Sequence, residues 1–127
     1  MGFHKWDDFP RRPNIRKGTW RRVIATENLT VQRGEMEPGT EFDDSLHRHP
    51  EDQFIIVLEG RMRLKIDDEE GWLEPGDVGV IPGGVYHGGV DVGPEGAEYF
   101  EVISGGRMDY LPGYVGPPKN EFKGPAG

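Results

Sequence analysis

His47, His49, Gln53 and His87 are the residues whose types best suit chemistry. A neutral imidazole offers a nitrogen lone pair, and a carboxamide offers a weak oxygen donor. Together they form a ligand set for one divalent ion such as Zn, Ni, Fe, Mn or Co. In the stretch HRHPEDQFIIVLEG, residues 47–60, the two histidines and the glutamine share parity. One side of an extended segment would present all three, and Ile55 and Val57 would continue that side as apolar lining. A further ligand must come from elsewhere. His4 lies in an N-terminal arm, whereas His87 follows GDVGVIPGGVYH, a strand and tight turn that feed another strand. His87 is the better candidate. A lone His-x-His on a strand is more often incidental than a ligand pair, so the weight rests on His87 and its surroundings. Three neutral imidazoles and a carboxamide leave the full charge of a divalent ion uncompensated. Such a site is a stronger Lewis acid and a weaker binder than one that includes a glutamate.

These side chains need a scaffold that brings distant strand ends together. The 127 residues include 20 Gly and 11 Pro, spread at short intervals rather than in one tract. Between them lie LTVQRGEM, QFIIVLEG, RMRLKID, VGVI, GGVDV and EYFEVI, short stretches with period-2 character. No window shows sustained helical periodicity. Many short strands between turn signals predict an all-β sandwich or barrel. IDDEEG (66–71) reads as a hairpin turn, and EPGD (74–77) and IPGG (81–84) as further turns. One domain over 1–127 is expected, with a barrel core of about 20–104, an arm at 1–19 and a tail at 105–127. The arm holds Phe3, Trp6, Phe9 and Trp20, too aromatic for a free tail. It is expected to pack on the barrel or on a second protomer through Trp6 and Phe9. The tail should cross the barrel surface, with the closing KGPAG disordered.

Composition excludes several classes. The net charge of -8 argues against nucleic acid, which needs clustered Lys and Arg. With no cysteine there is neither a disulfide framework nor thiolate chemistry. No apolar run approaches the roughly 20 residues of a membrane helix. The N-terminus MGFHKWDDF lacks the apolar core of a signal peptide. A cytoplasmic location without membrane contact is expected.

The sequence resembles the cupins, whose two motifs can be written G-x5-H-x-H-x3,4-E-x6-G and G-x5-P-x-G-x2-H-x3-N. Gly76, Pro82, Gly84 and His87 match the second. His47, His49 and Gly60 match the first, with Gln53 in the glutamate's place. Gly39 lies two residues further upstream than the pattern asks, and Asp91 stands where the final Asn would be. The resemblance spans about residues 30–104. It implies a double-stranded β-helix, or jelly-roll barrel, holding one metal ion, and a homodimer.

The segment YFEVISGGRMDYLPGY is similar to the end of the KdgF group of pectin-degradation cupins. Their stretch reads approximately D-x-F-S-P-P-R-E-D-Y/F-L. The resemblance implies linearisation of 4,5-unsaturated uronates with three histidines and one glutamine. By position, Glu101 takes the acidic place and Arg107 the arginine place. Glu replaces Asp, Ile103 replaces Phe, and Gly105-Gly106 replace the two prolines. The residues support those roles in outline. Glu101 shares parity with Tyr99 and Ile103, so a barrel strand can turn it inward as a general acid/base. The planar fork of Arg107 suits a substrate carboxylate. A metal-dependent isomerase or lyase acting on a small, anionic, sugar-like molecule is the leading expectation. A metal-dependent oxygenase would use the same ligands on an aromatic or diketone substrate. A polyketide cyclase-like enzyme would need a long apolar cavity, and a non-catalytic ligand-binding module would show no turnover.

Overall fold

The computed structural model describes residues 2–117 and 119–124, and nearly all of its regular structure is strand. The strands are β1 (Arg12–Pro13), β2 (Thr19–Ala25), β3 (Leu29–Met36), β4 (Leu46–Arg48) and β5 (Gln53–Ile66). After them come β6 (Glu69–Leu73), β7 (Val78–Ile81), β8 (His87–Ser104) and β9 (Glu121–Lys123). They form one curled antiparallel sheet in the order β1-β2-β3-β8-β4-β9, with β5 pairing β6, β7 and β8. The all-β barrel expected from the turn spacing is the observed architecture.

β5 and β8 are its spine. They run antiparallel from Gln53↔Ile103 to Ile66↔His87. Register shifts between Val57 and Glu59, Gly60 and Met62, and Arg63 and Leu64 bend the ribbon and change its inward parity. Gln53, Ile55 and Val57 point inward before the bend, and Met62 and Leu64 after it. Gly60 sits at φ 70°, and a Cβ there would stand 2.0 Å from the Gly96 carbonyl oxygen, so only glycine fits. QFIIVLEG and RMRLKID, read from sequence as two strands, are therefore one bent strand.

LTVQRGEM and VGVI coincide with β3 and β7. Alternation along β3 buries Thr30, Gln32, Gly34 and Met36. The hairpin after β5 is tighter than expected. Ile66 pairs with Glu69, leaving a two-residue turn with Asp67 at φ 53°, in the left-handed region.

The core packs Met36, Ile55, Val57, Met62, Leu64, Ile81, Ala97 and Tyr99 between the walls. Full burial of each large apolar side chain contributes about 1.5–3 kcal/mol. A smaller cluster of Val23, Ile103 and Tyr110 secures the start of the tail.

Both terminal segments dock on the barrel. Trp6 lies against Phe100 of the same chain at 5.6 Å between ring centroids, and Phe9 against Trp6 at 6.0 Å. The tail returns as β9, pairing Leu46↔Lys123, His47↔Phe122 and Arg48↔Glu121. Lys123, expected in a disordered end, is thus part of the sheet, because the backbone of β4 gives it a partner. Residues 125–127 of KGPAG lie outside the described residues. Among the described residues no helix is long and apolar enough to cross a membrane.

Candidate metal centre

His47 and His87 face each other as direct cross-strand partners of β4 and β8. Their ring centroids are 4.4 Å apart. His49 lies just past the end of β4, and its carbonyl accepts a hydrogen bond of 2.8 Å from the Gly84 N–H. That bond ties it to the turn preceding His87. Gln53 opens β5. His47, His49 and Gln53 therefore do not share one extended face, as their parity suggests. β4 ends at Arg48, and the chain turns through residues 49–52 before β5 begins. The turn, rather than a two-residue period, brings them together.

The donor atoms of His47, His49 and His87 lie within 4.8 Å of one another. Hydrogen bonds fix which ring nitrogen is free. The Nδ1–H of His87 donates to the Val85 carbonyl at 2.9 Å, leaving its Nε2 lone pair buried with no partner among the described residues. The Nδ1–H of His49 donates to the Glu51 carbonyl at 3.0 Å, so its Nε2 is also the lone-pair atom. That Nε2 meets Gln53 Oε1 at 2.9 Å. Two acceptors at this distance repel unless a cation satisfies both or the amide turns over. Two donors each about 2.1 Å from one ion lie roughly 3–3.4 Å apart. The orphaned His87 nitrogen and this acceptor pair both fit a divalent ion. Burial, with the charges of the other two imidazoles, pushes the His47 pKa down to about 3. Burial also lowers that of His87 to about 4, against the pull of the Val85 carbonyl. Both rings are held in the neutral form that ligates metal.

The imidazoles of His47 and His87 form one side of a cavity of about 60 Å³. Such a volume has room for a few waters or a very small molecule. Glu101 lines the same cavity and is the one acidic residue among those that do. The residue is half-buried on the cavity wall, and desolvation raises its pKa to about 7, against the opposing pull of Arg21 and then Arg107. Tyr99 and Tyr110, its neighbours in the lining, are pushed up by burial and by the Glu101 charge. They stay neutral near pH 7. The basic members of the lining are Arg16 from the arm and Arg21 from β2. Neither was singled out from sequence: Arg21, on a strand, reads as solvent-facing until the register is known, and Arg16 lies in a bend of the arm, where no periodicity marks it.

Arg107 is placed differently from the expectation. It is buried, but it is absent from the cavity lining. Its Nε and Nη2 donate to the two oxygens of Asp109 at 2.9 and 2.8 Å, and Nη2 also reaches Asn120 at 2.6 Å. The fork expected to take a substrate carboxylate is already occupied by one from its own chain. Burial works against the charge on Asp109, but the Arg107 hydrogen bonds keep its pKa below the ordinary value. The local sequence Arg107-Met108-Asp109 carried that signal.

Residues 32–103 match the cupin domain, more than half of the chain, and the chain belongs to that family. No curated protein matches it. Among solved structures, a variant of Bacillus subtilis oxalate decarboxylase superposes with a TM-score of 0.68 at 25% identity, over 83% of this chain and 29% of its own. The same enzyme at pH 4.6 gives 0.67 at 25% identity, over 83% and 29%. This chain thus spans under a third of the length of those decarboxylases. An RmlC-like cupin from Shewanella frigidimarina matches 87% of this chain and 96% of its own, with a TM-score of 0.74 at 23% identity. That last likeness concerns the fold.

Proposed function

We propose that this cupin is a metal-dependent isomerase or lyase acting on a small, anionic, sugar-like substrate, with linearisation of an unsaturated uronate as the specific reaction. The observation that carries the reading is one cavity shared by Glu101, His47 and His87. His47, His49, His87 and Gln53 would hold the ion. A divalent ion there supplies Lewis acidity toward substrate oxygens. Glu101, with a pKa of about 7, is suited to give and take a proton near neutral pH. Linearisation requires the C1 hydroxyl to give up its proton as the bond from C1 to the ring oxygen breaks. This leaves an aldehyde at C1 and, once that oxygen is protonated, an enol at C5. In the enol-to-keto conversion that follows, Glu101 takes the proton from the enol hydroxyl as the C=C electrons move to C4. It then returns a proton to that carbon. The double bond passes from C=C to C=O, and no oxidant or reductant is needed.

Further support comes from the tail, similar to the uronate-linearising cupins at Glu101, and from structural likeness to an enzyme named for decarboxylating a small diacid. The small cavity, with Arg16, Arg21 and Gln32 in its lining, does not supply the long apolar space of a polyketide cyclase. A sugar-sized ring exceeds about 60 Å³, so residues of the lining must shift to admit it.

The test is ultraviolet loss of the unsaturated uronate chromophore by metal-loaded protein, with dioxygen uptake followed in parallel. The reading expects loss of chromophore without oxygen consumption. No loss, together with metal-dependent oxygen uptake on an aromatic substrate, would assign the site to an oxygenase instead.

A further inference from the structure

Among the described residues, two buried donors on the cavity wall have no partner: Arg16 Nε and Gln32 Nε2. Unpaired donors in a protein interior are costly and uncommon, so their presence on a cavity calls for an acceptor. Gln32 is 1% exposed and stands opposite Glu101 in the β3–β8 register. Arg21 Nη1 donates to Gln32 Oε1 at 3.4 Å. That contact assigns the amide, leaving the buried NH₂ of Gln32 as the unsatisfied group. The Arg21 guanidinium stacks on the Tyr110 ring at 4.6 Å. Among the described residues no carboxylate lies within ion-pair distance of it, whereas Arg107 has Asp109 and Glu51. Arg16 is tethered through Nη2 to the Ser45 carbonyl and hydroxyl at 3.2 and 3.3 Å, with Asp43 at 3.6 Å, so its Nε stays free.

We propose that Arg21 and Gln32, assisted by Arg16, form the subsite for the substrate's carboxylate, the role that the tail resemblance implies for Arg107. The inference rests on the reading above that the substrate is a carboxylic acid. The geometry suits it: a planar fork and an adjacent amide present several N–H groups to one carboxylate. The register sets that carboxylate beside Glu101. Arg21 is a specificity-determining residue in this scheme, and Gln32 positions the same oxygen atoms.

The experiment is calorimetric titration of chelator-treated protein, and of protein reloaded with Mn(II), with malonate and with its neutral analogue malonamide. Wild-type protein should bind malonate and discriminate against malonamide in both forms. Arg21→Gln should weaken malonate binding about tenfold or more, the effect of one charge-assisted hydrogen bond, without weakening Mn(II) binding. Arg21→Lys keeps the charge and the stem on Tyr110, and should lose less. Gln32→Glu, nearly isosteric, should pair with Arg21 and abolish malonate binding. These two variants carry the test if Arg21→Gln does not fold. Malonate affinity unchanged in Arg21→Lys and Gln32→Glu would overturn the subsite. So would a loss confined to Arg107→Lys. Arg21-dependent malonate binding without turnover of any acidic sugar would support the subsite while sinking the uronate reading. Uronate turnover with an unchanged KM in Arg21→Gln would do the reverse.

Discussion

The Glu51 carboxylate lies between His49 and Arg107 without a hydrogen bond to either. Glu51 Oε2 lies 3.6 Å from His49 Nδ1 and 3.8 Å from Arg107 Nη1. Arg107 in turn is clamped to Asp109, which leads into the tail. The arginine therefore stands against Asp109 and Glu51 and outside the cavity lining. Arg107→Ala leaves Asp109 buried without its counter-ion, and loss of one member of a buried pair costs about 3–5 kcal/mol. Urea unfolding should show a loss of that size. Because His49 is held by the Glu51 backbone carbonyl rather than by Arg107, metal affinity should change less than stability. A fall in carboxylate affinity with stability and metal affinity intact would return Arg107 to the substrate.

Gln53 sets the charge of the site. Gln53→Glu supplies an anionic oxygen where the 2.9 Å contact with His49 now lies, and should tighten binding of a divalent ion. His49→Ala removes a donor and should abolish it. Metal titration of both variants is the measurement, and Gln53→Glu binding metal more weakly than wild type would contradict the ligand assignment.

Glu101 should make stability depend on pH in the metal-free protein. Its folded pKa is about 7, raised by burial from an ordinary 4.5. Between those values the folded chain holds a proton that the unfolded chain has released. Stability is therefore greatest below about pH 4.5 for this group and falls as pH rises toward 7. The loss is roughly 3 kcal/mol at about 1.4 kcal/mol per pH unit. The charges and polar groups around it are Arg21, Arg107, Tyr99 and Tyr110. Glu101→Gln should flatten this slope in denaturation curves taken across the range. If the proposed isomerase or lyase activity holds, the metal-loaded Glu101→Gln protein should turn over about 10²–10⁴-fold more slowly with the metal retained. An unchanged slope would place the Glu101 carboxyl in solvent.

Gly34 sets the position of Tyr99. A Cβ at Gly34 would stand 2.3 Å from Tyr99 Cζ and 2.6 Å from its hydroxyl oxygen, inside the closest real contacts. Gly34→Ala must displace the buried ring toward the cavity or spread β3 from β8. Overpacking of this kind costs about 1–3 kcal/mol. A melting point equal to that of wild type would show that the ring moves freely.

The histidines were legible because their spacing, with that of the glycines and prolines around His87, forms a pattern tied to one fold. Strand parity allowed Glu101 an inward position, and its strand does place it at the cavity. Gln32 and Arg21 were not legible. They sit among arginines and glutamates on β2 and β3, and only the register of those strands separates inward from outward residues. β9 escaped notice for another reason: three residues of tail carry no periodicity, and their partner, β4, lies far away in sequence. The unity of β5 was hidden by its bulges, which shift the apolar parity midway and make one strand read as two.

The most direct measurement is anomalous X-ray scattering, at the edge of whichever metal the protein carries, from crystals grown without chelator. The account predicts one peak per chain, bonded by His47, His49, His87 and the Gln53 oxygen, with nitrogen distances near 2.0–2.1 Å if the metal is zinc. A peak elsewhere, or metal-saturated crystals in which His87 Nε2 bonds no ion, would contradict it.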